Sequence, residues 1–286
     1  MKKKQRCPMA RTALCVAVLA ATAGCAGKGA ATRPSAPAAQ ATAPKAVAEP
    51  AEAKDILRRM ADYLASAPRF SVSVRGSYDA LQESGQKIEF GETRKITVSR
   101  PDRLRVEVEH SDGEKHLVTY DGKDITVFSP AQNVYAQAAK PGGIDAAVVY
   151  FLKDLRMRLP LAALLLSRFP EEIQRRTQSL DYVERTDIEG MLAHHLAGRS
   201  ETVDYQVWVA EGDRPLPLRA VLTYKNAEGQ PQFRAQFADW NFSPELKDTE
   251  FTFVPPEGAR KIAFLAQVPE IGFQGATTPE PDGGRK

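Results

Sequence analysis

From Phe70 to Phe237 apolar residues keep returning at every second position, the period of a strand with one buried face. Phe70, Val72 and Val74 begin it, then Ile88 with Phe90 and Ile96 with Val98. Leu104, Val106 and Val108 alternate with Arg105, Glu107 and Glu109, so one face is wet and the other dry. The pattern resumes at Tyr182–Ile188 and Met191–Ala197. It continues through Val203, Tyr205, Val207 and Val209, then Leu218, Ala220, Leu222 and Tyr224, then Phe233, Ala235 and Phe237. Asp112-Gly113, Asp121-Gly122, Glu189-Gly190 and Glu228-Gly229 supply tight turns between antiparallel neighbours. A last strand is expected near Phe251–Val254, ahead of Pro255 and Pro256. Roughly a dozen strands make a large, curved antiparallel sheet, since a sheet of that width must curl or close. Alternation is weaker in 116–120, 124–128 and 133–137, and there the register stays open; His116 is placed opposite Glu109 as a solvated pair.

Between the two blocks lies Asp145–Phe169, the long apolar stretch with a different period. Val148, Phe151, Leu152 and Leu155 form one helical stripe, with Lys153 and Asp154 off it. Leu159-Pro160 interrupts, and Leu161, Leu164, Leu165 and Leu166 predict a second helix, apolar almost all round. The charges at Lys153, Asp154, Arg156 and Arg158 exclude a membrane span, which takes about 20 mainly apolar residues. Pro170–Ser179 reads as a linker. Another helix precedes the sheet, with Ile56, Leu57, Met60, Tyr63 and Leu64 inward and Ala67-Pro68 ending it.

Residues 1–24 read as an export signal: five cations (Lys2, Lys3, Lys4, Arg6, Arg11), an apolar run from Ala13 to Ala21, then Thr22, Ala23 and Gly24 before Cys25. Met9 also serves as a possible start. The ending resembles the bacterial lipoprotein signal, in which cleavage precedes a lipid-bearing cysteine; Thr22 stands where leucine is usual. A conventional signal with an incidental cysteine is the alternative. Cys7 and Cys15 fall in the removed segment, leaving Cys25 alone in the mature chain. Without those five cations, 34 basic residues face 36 acidic ones, and the net charge falls from +3 to about −2. No basic, aromatic-laced stripe remains to hold nucleic acid. Residues 25–52, rich in alanine and proline without an aromatic, form a tether of about 80 Å if extended. Residues 53–265 form the folded domain, and 266–286 a disordered tail.

Trp240, Phe242, Pro244, Leu246, Asp248, Phe251, Phe253, Pro255, Pro256, Gly258 and Ala259 resemble the closing segment of the periplasmic LolA/LolB lipoprotein-carrier superfamily, and nearest to it, predicted envelope proteins of unknown function. Asp213–Arg219 resembles the preceding turn and strand, and the order of helix, strands, helices and strands matches over about 210 residues. The resemblance implies an unclosed half-barrel wrapped over helices, with an apolar cavity for acyl chains. For a lipoprotein, Ala26 rather than aspartate after Cys25 implies the outer membrane.

Chemistry is sparse. His194 and His195 point to opposite faces of a strand and cannot easily share a metal ion; His194, in phase with Leu192 and Leu196, reads as a core histidine. There is no cysteine–histidine zinc pattern in the mature chain, no phosphate loop and no Gly-x-Ser-x-Gly elbow. No enzyme activity, cofactor or metal is expected, although a carboxylate pair assembled by folding would leave a hydrolase open. The expected function is a lipid-anchored envelope protein that takes a lipid or lipoprotein acyl chains into an apolar cavity under a helical lid. The alternative is an envelope sensor using the same fold to bind a protein partner. The cavity lining expected from the pattern is Phe151, Leu155, Leu161, Leu165, Val203, Tyr205, Val207, Phe233 and Phe237, positions equally suited to plain core packing. A ligand-sized cavity would measure several hundred cubic ångströms, and a core filled outright would leave only the partner-surface reading.

Overall fold

The structure, a computed structural model, describes residues 50–155, 157 and 159–264. The signal, Cys25, the tether as far as position 49 and the tail lie outside the described residues.

Helix α1 (Pro50–Ser66) leads into β1 (Arg69–Leu81), β2 (Lys87–Ser99), β3 (Arg103–His110), β4 (Lys115–Tyr120), β5 (Asp124–Ser129) and β6 (Val134–Ala139). Helix α2 (Ile144–Lys153), a 3-10 turn (Ala162–Leu165) and helix α3 (Phe169–Arg176) follow. Then come β7 (Ser179–Ile188), β8 (Met191–Arg199), β9 (Val203–Ala210), β10 (Pro217–Tyr224), β11 (Gln232–Asn241) and β12 (Arg260–Ile262). The twelve strands form one open sheet in the order β12-β6-β5-β4-β3-β2-β1-β11-β10-β9-β8-β7, antiparallel throughout except where β12 runs parallel to β6. Each block is a meander, and the two meet where β1 pairs with β11.

The helices cover one face. Ile56, Leu57, Met60 and Leu64 of α1 are buried with Phe70, Val72, Val74, Val98, Leu104, Val106, Phe233 and Phe237 of the sheet, and α1 lies against β7, β8 and β9. A smaller cluster (Ala193, Trp208, Leu218, Val221) occupies the outer face. Gly198 shows how tightly the inner face is fitted: it pairs with Tyr205, and a Cβ there would come 2.1 Å from the tyrosine ring. The space a side chain would fill lets Tyr205 lie across the sheet and reach Thr177, 2.7 Å away.

Several expectations are corrected. The run after Pro160 is not a second helix. Leu161 adopts a left-handed conformation (φ 65°), and only the four-residue 3-10 turn follows. Ala162, Leu164 and Leu166 donate amides to carbonyls three residues back, while the Pro160 and Leu165 carbonyls accept from arginines of the sheet region instead of closing an α-turn. The linker contains α3, whose proline in the first turn, Glu171 and Glu172 near the start and Arg175 and Arg176 at the end were signals of a helix. Leu152 leaves the expected stripe and is exposed, and α2 ends before Leu155.

No strand forms at 251–254. Phe251 is buried, Phe253 packs on Phe128 and Tyr135, and the strand comes later, at β12. Two prolines after Val254 cannot donate to a ladder, which delays pairing until the chain has passed them. Leu218 moves to the outer face because a bulge interrupts the β9–β10 register between Pro217 and Arg219. His116 is not solvated: β3–β4 pairing sets Lys115 against Glu109 and His116 against Val108, one step from the expected register, and the ring turns inward.

Candidate functional site

The segment 159–166 crosses the sheet as a strap. Leu159, Leu161 and Leu164 are half-buried, and Leu165 and Leu166 are buried in the main core. Beneath it lies a space of about 20 Å³ lined by Phe70, Val72, Val74, Arg94, Ile96, Phe233, Phe237 and Trp240 with the strap's own Leu161 and Leu165. A second, of about 30 Å³, lies among Leu104, Val106, Val118, Ile125, Val148 and Phe151. Leu159 lines both. Small-molecule sites run to about 300–1,000 Å³, so in this conformation the core is filled.

The expected lining divides accordingly. Leu161, Leu165, Phe233 and Phe237 meet under the strap, and Phe151 lines the second space. Leu155 and Val207 are buried, and Tyr205 is partly buried against the same core; with half-buried Val203, they line neither space.

Among the described residues, side chains tie the strap at three places. Arg94 Nη1 donates to the Pro160 carbonyl at 3.5 Å and Arg100 Nη1 to the Leu165 carbonyl at 2.8 Å. At its far end the Asp145 carboxylate accepts from the Ser167 amide and hydroxyl at 2.9 and 2.8 Å.

Beside the strap lies a group that the sequence reading missed. Glu92 and Arg94 point inward from β2, 3% and 5% exposed, with Arg94 Nη2 2.6 Å from Glu92 Oε1. Arg94 also stands over the Phe233 ring, 5.4 Å from its centre. His110 Nδ1 is 4.0 Å from Glu92 Oε2, and the His110 and His116 rings meet edge to face at 5.5 Å. The signal was present: Glu92 and Arg94 are in phase with Phe90, Ile96 and Val98, and charge on the dry face of a strand calls for an internal partner. Among the described residues no three His, Cys, Asp or Glu side chains gather at metal-ligand spacing. His194 stands near Tyr182, and His195 stacks on Trp208 at 4.0 Å on the outer face.

Burial holds the His116 imidazole below the usual histidine range. Glu114, 3.5 Å away, and Asp112 pull the other way, and His110 adds to the depression. A base with a lowered folded pKa contributes stability that is complete above its unfolded value of about 6.5 and is lost as pH falls through that value toward the folded one. Urea unfolding between pH 7 and 5 should therefore show a steeper loss for the wild type than for His116→Gln. Parallel pH profiles would assign the loss to other groups.

The outer face carries two open, charged depressions of about 620 and 670 Å³ that share Arg75, Thr93, Glu109 and Gln236. Arg219, lining the first, stacks over Trp208 at 5.0 Å, extending the His195–Trp208 pair toward it.

A family model described as "Predicted periplasmic protein (DUF2092)" matches residues 53–265, nearly the whole described domain. The chain belongs to that family. No curated protein matches it. Similar solved structures include a LolA superfamily protein from Nitrosomonas europaea (13% identity, TM-score 0.35, 70% of this chain and 97% of that one). Another is the Mycobacterium tuberculosis lipoprotein LppX (14%, 0.43, 70% and 100%). A third is the MucA/MucB complex of Pseudomonas aeruginosa (18%, 0.38, 71% and 61%). The sheet of the DUF2092 chain is open, mostly antiparallel and covered by helices on one face, as the sequence resemblance implied. No described helix is long and apolar enough to cross a membrane.

Proposed function

We propose that the DUF2092 domain binds acyl chains, of a lipid or of a lipoprotein, in the groove that its own strap fills in the closed form. It is tethered through a lipidated Cys25 at the periplasmic face of the outer membrane. The observation that carries this reading is the strap: five leucines plug an apolar floor from a segment with almost no regular structure. Burying them is worth about 8–15 kcal/mol at most. Ordering the segment costs about 8–16 kcal/mol at 1–2 per residue. The two nearly cancel, so a ligand that supplies its own methylenes, at about 0.8 kcal/mol each, can replace the leucines at little net cost.

Native mass spectrometry of the full chain after incubation with oleate tests this, with a bound oleate adduct expected. The filled core of the closed form, together with the outer-face depressions, Arg75, Arg219 and the His195–Trp208 stack, favours a protein partner as the second reading. A chain that takes up no oleate would move the function there.

A further inference from the structure

We infer that Glu92, Arg94, His110 and His116 form a head-group subsite at the polar end of the groove, suited to an uncharged, hydroxyl-bearing head such as a glycerol ester; this rests on the acyl-chain reading above. The four belong to two adjacent rows of the helix-covered face: His116, Val108, Arg94, Val74 and Phe237 in one, and His110, Glu92, Gly76 and Ala235 in the next. The first row runs from this group to Val74 and Phe237, which line the space under the strap, and the Pro160 carbonyl lies over Arg94. Lifting the strap would remove that carbonyl and leave the guanidinium at the edge of the groove.

Buried polar atoms in this group lack hydrogen bonds. Glu92 Oε1 is paired with Arg94 by charge but not by hydrogen-bond geometry. Glu92 Oε2, Arg94 Nε and His116 Nδ1 are also unsatisfied. Native interiors rarely leave such atoms unmet without a use for them. Gly76 fixes where the carboxylate sits: a Cβ there would come 3.1 Å from Glu92 Cγ and Oε1 and 3.3 Å from the Phe233 ring, so the carboxylate rests over bare backbone.

The charges select the class of head. Glu92 and Arg94 neutralise each other, and His116 is held toward its neutral form, so an anionic head would find no free positive charge to offset its own desolvation. Hydroxyls can donate to Glu92 and accept from Arg94 or an imidazole.

Equilibrium dialysis of the full chain against 1-monooleoylglycerol, oleate and oleoyl lysophosphatidate tests the assignment. Monooleoylglycerol should bind about tenfold or more tighter than either anion, the return expected from one or two hydrogen bonds to charged groups. His116→Gln, which keeps the Glu92–Arg94 pair, should reduce that preference severalfold, and Glu92→Gln should turn it toward oleate, because it leaves the Arg94 guanidinium without its counter-charge. The wild-type comparison stands even where a variant fails to fold. Equal binding of monooleoylglycerol and oleate, preference for lysophosphatidate, or a preference unchanged in folded variants would overturn the subsite and leave the groove standing. Binding of none of the three would remove the groove and the subsite with it.

Discussion

Arg94→Leu should destabilise the domain by about 3–5 kcal/mol, because it leaves the Glu92 carboxylate buried without its counter-charge. Both side chains are almost wholly enclosed, so solvent cannot screen the loss. The matched double variant Glu92→Gln/Arg94→Leu should recover much of it, since removing both charges also removes their desolvation cost. Urea unfolding of the two singles and the double completes the cycle. Additive losses would show that the pair is not coupled. Arg94→Leu also cuts a tie to the strap at Pro160, so acyl-chain uptake should quicken in any folded variant lacking the guanidinium.

Leu165→Asp should open the strap rather than unfold the domain. Leu165 is 3% exposed among apolar side chains, and an unpaired carboxylate at such a site costs several kcal/mol if it stays. The strap's net docking energy is small, so swinging out limits the loss to roughly 2–3 kcal/mol, near the burial of one leucine. The sheet and α1 should keep their cooperative unfolding transition. Oleate should bind more tightly than to the wild type, because the ligand no longer works against the closed form. Collapse of the whole fold would mark the segment as indispensable core and end its role as a lid.

Much of the fold was legible because alternation is a local signal. Phe70–Val74 and Leu104–Val108 had one dry face to satisfy, and they formed strands whose apolar residues turned inward. The failures came where something non-local decided. A β-bulge turned Leu218 outward, and hairpin register, undetermined by the pattern around His116, took that ring inside. Four leucines after Pro160 looked helical by hydrophobicity alone, yet the sheet below them wanted a plug, and Arg94 and Arg100 took the carbonyls. The apolar lining was legible as a face but not as a cavity. Whether Phe151, Leu161, Leu165, Phe233 and Phe237 enclose space depends on how fully the strap fills it, and alternation carries no such information. The Glu92–Arg94 pair was visible as charge in phase with a dry face, a conflict that marks a specific internal partner.

Hydrogen exchange of the strap amides with and without oleate tests the displacement most directly. Ala162, Leu164 and Leu166 bond their amides within the strap in the closed form. If an acyl chain takes the place of the leucines, exchange across 159–166 should accelerate on oleate binding while amides of β1 and β2 beneath remain protected. Oleate that binds and leaves the strap as protected as before, or more so, would contradict displacement and put the ligand elsewhere.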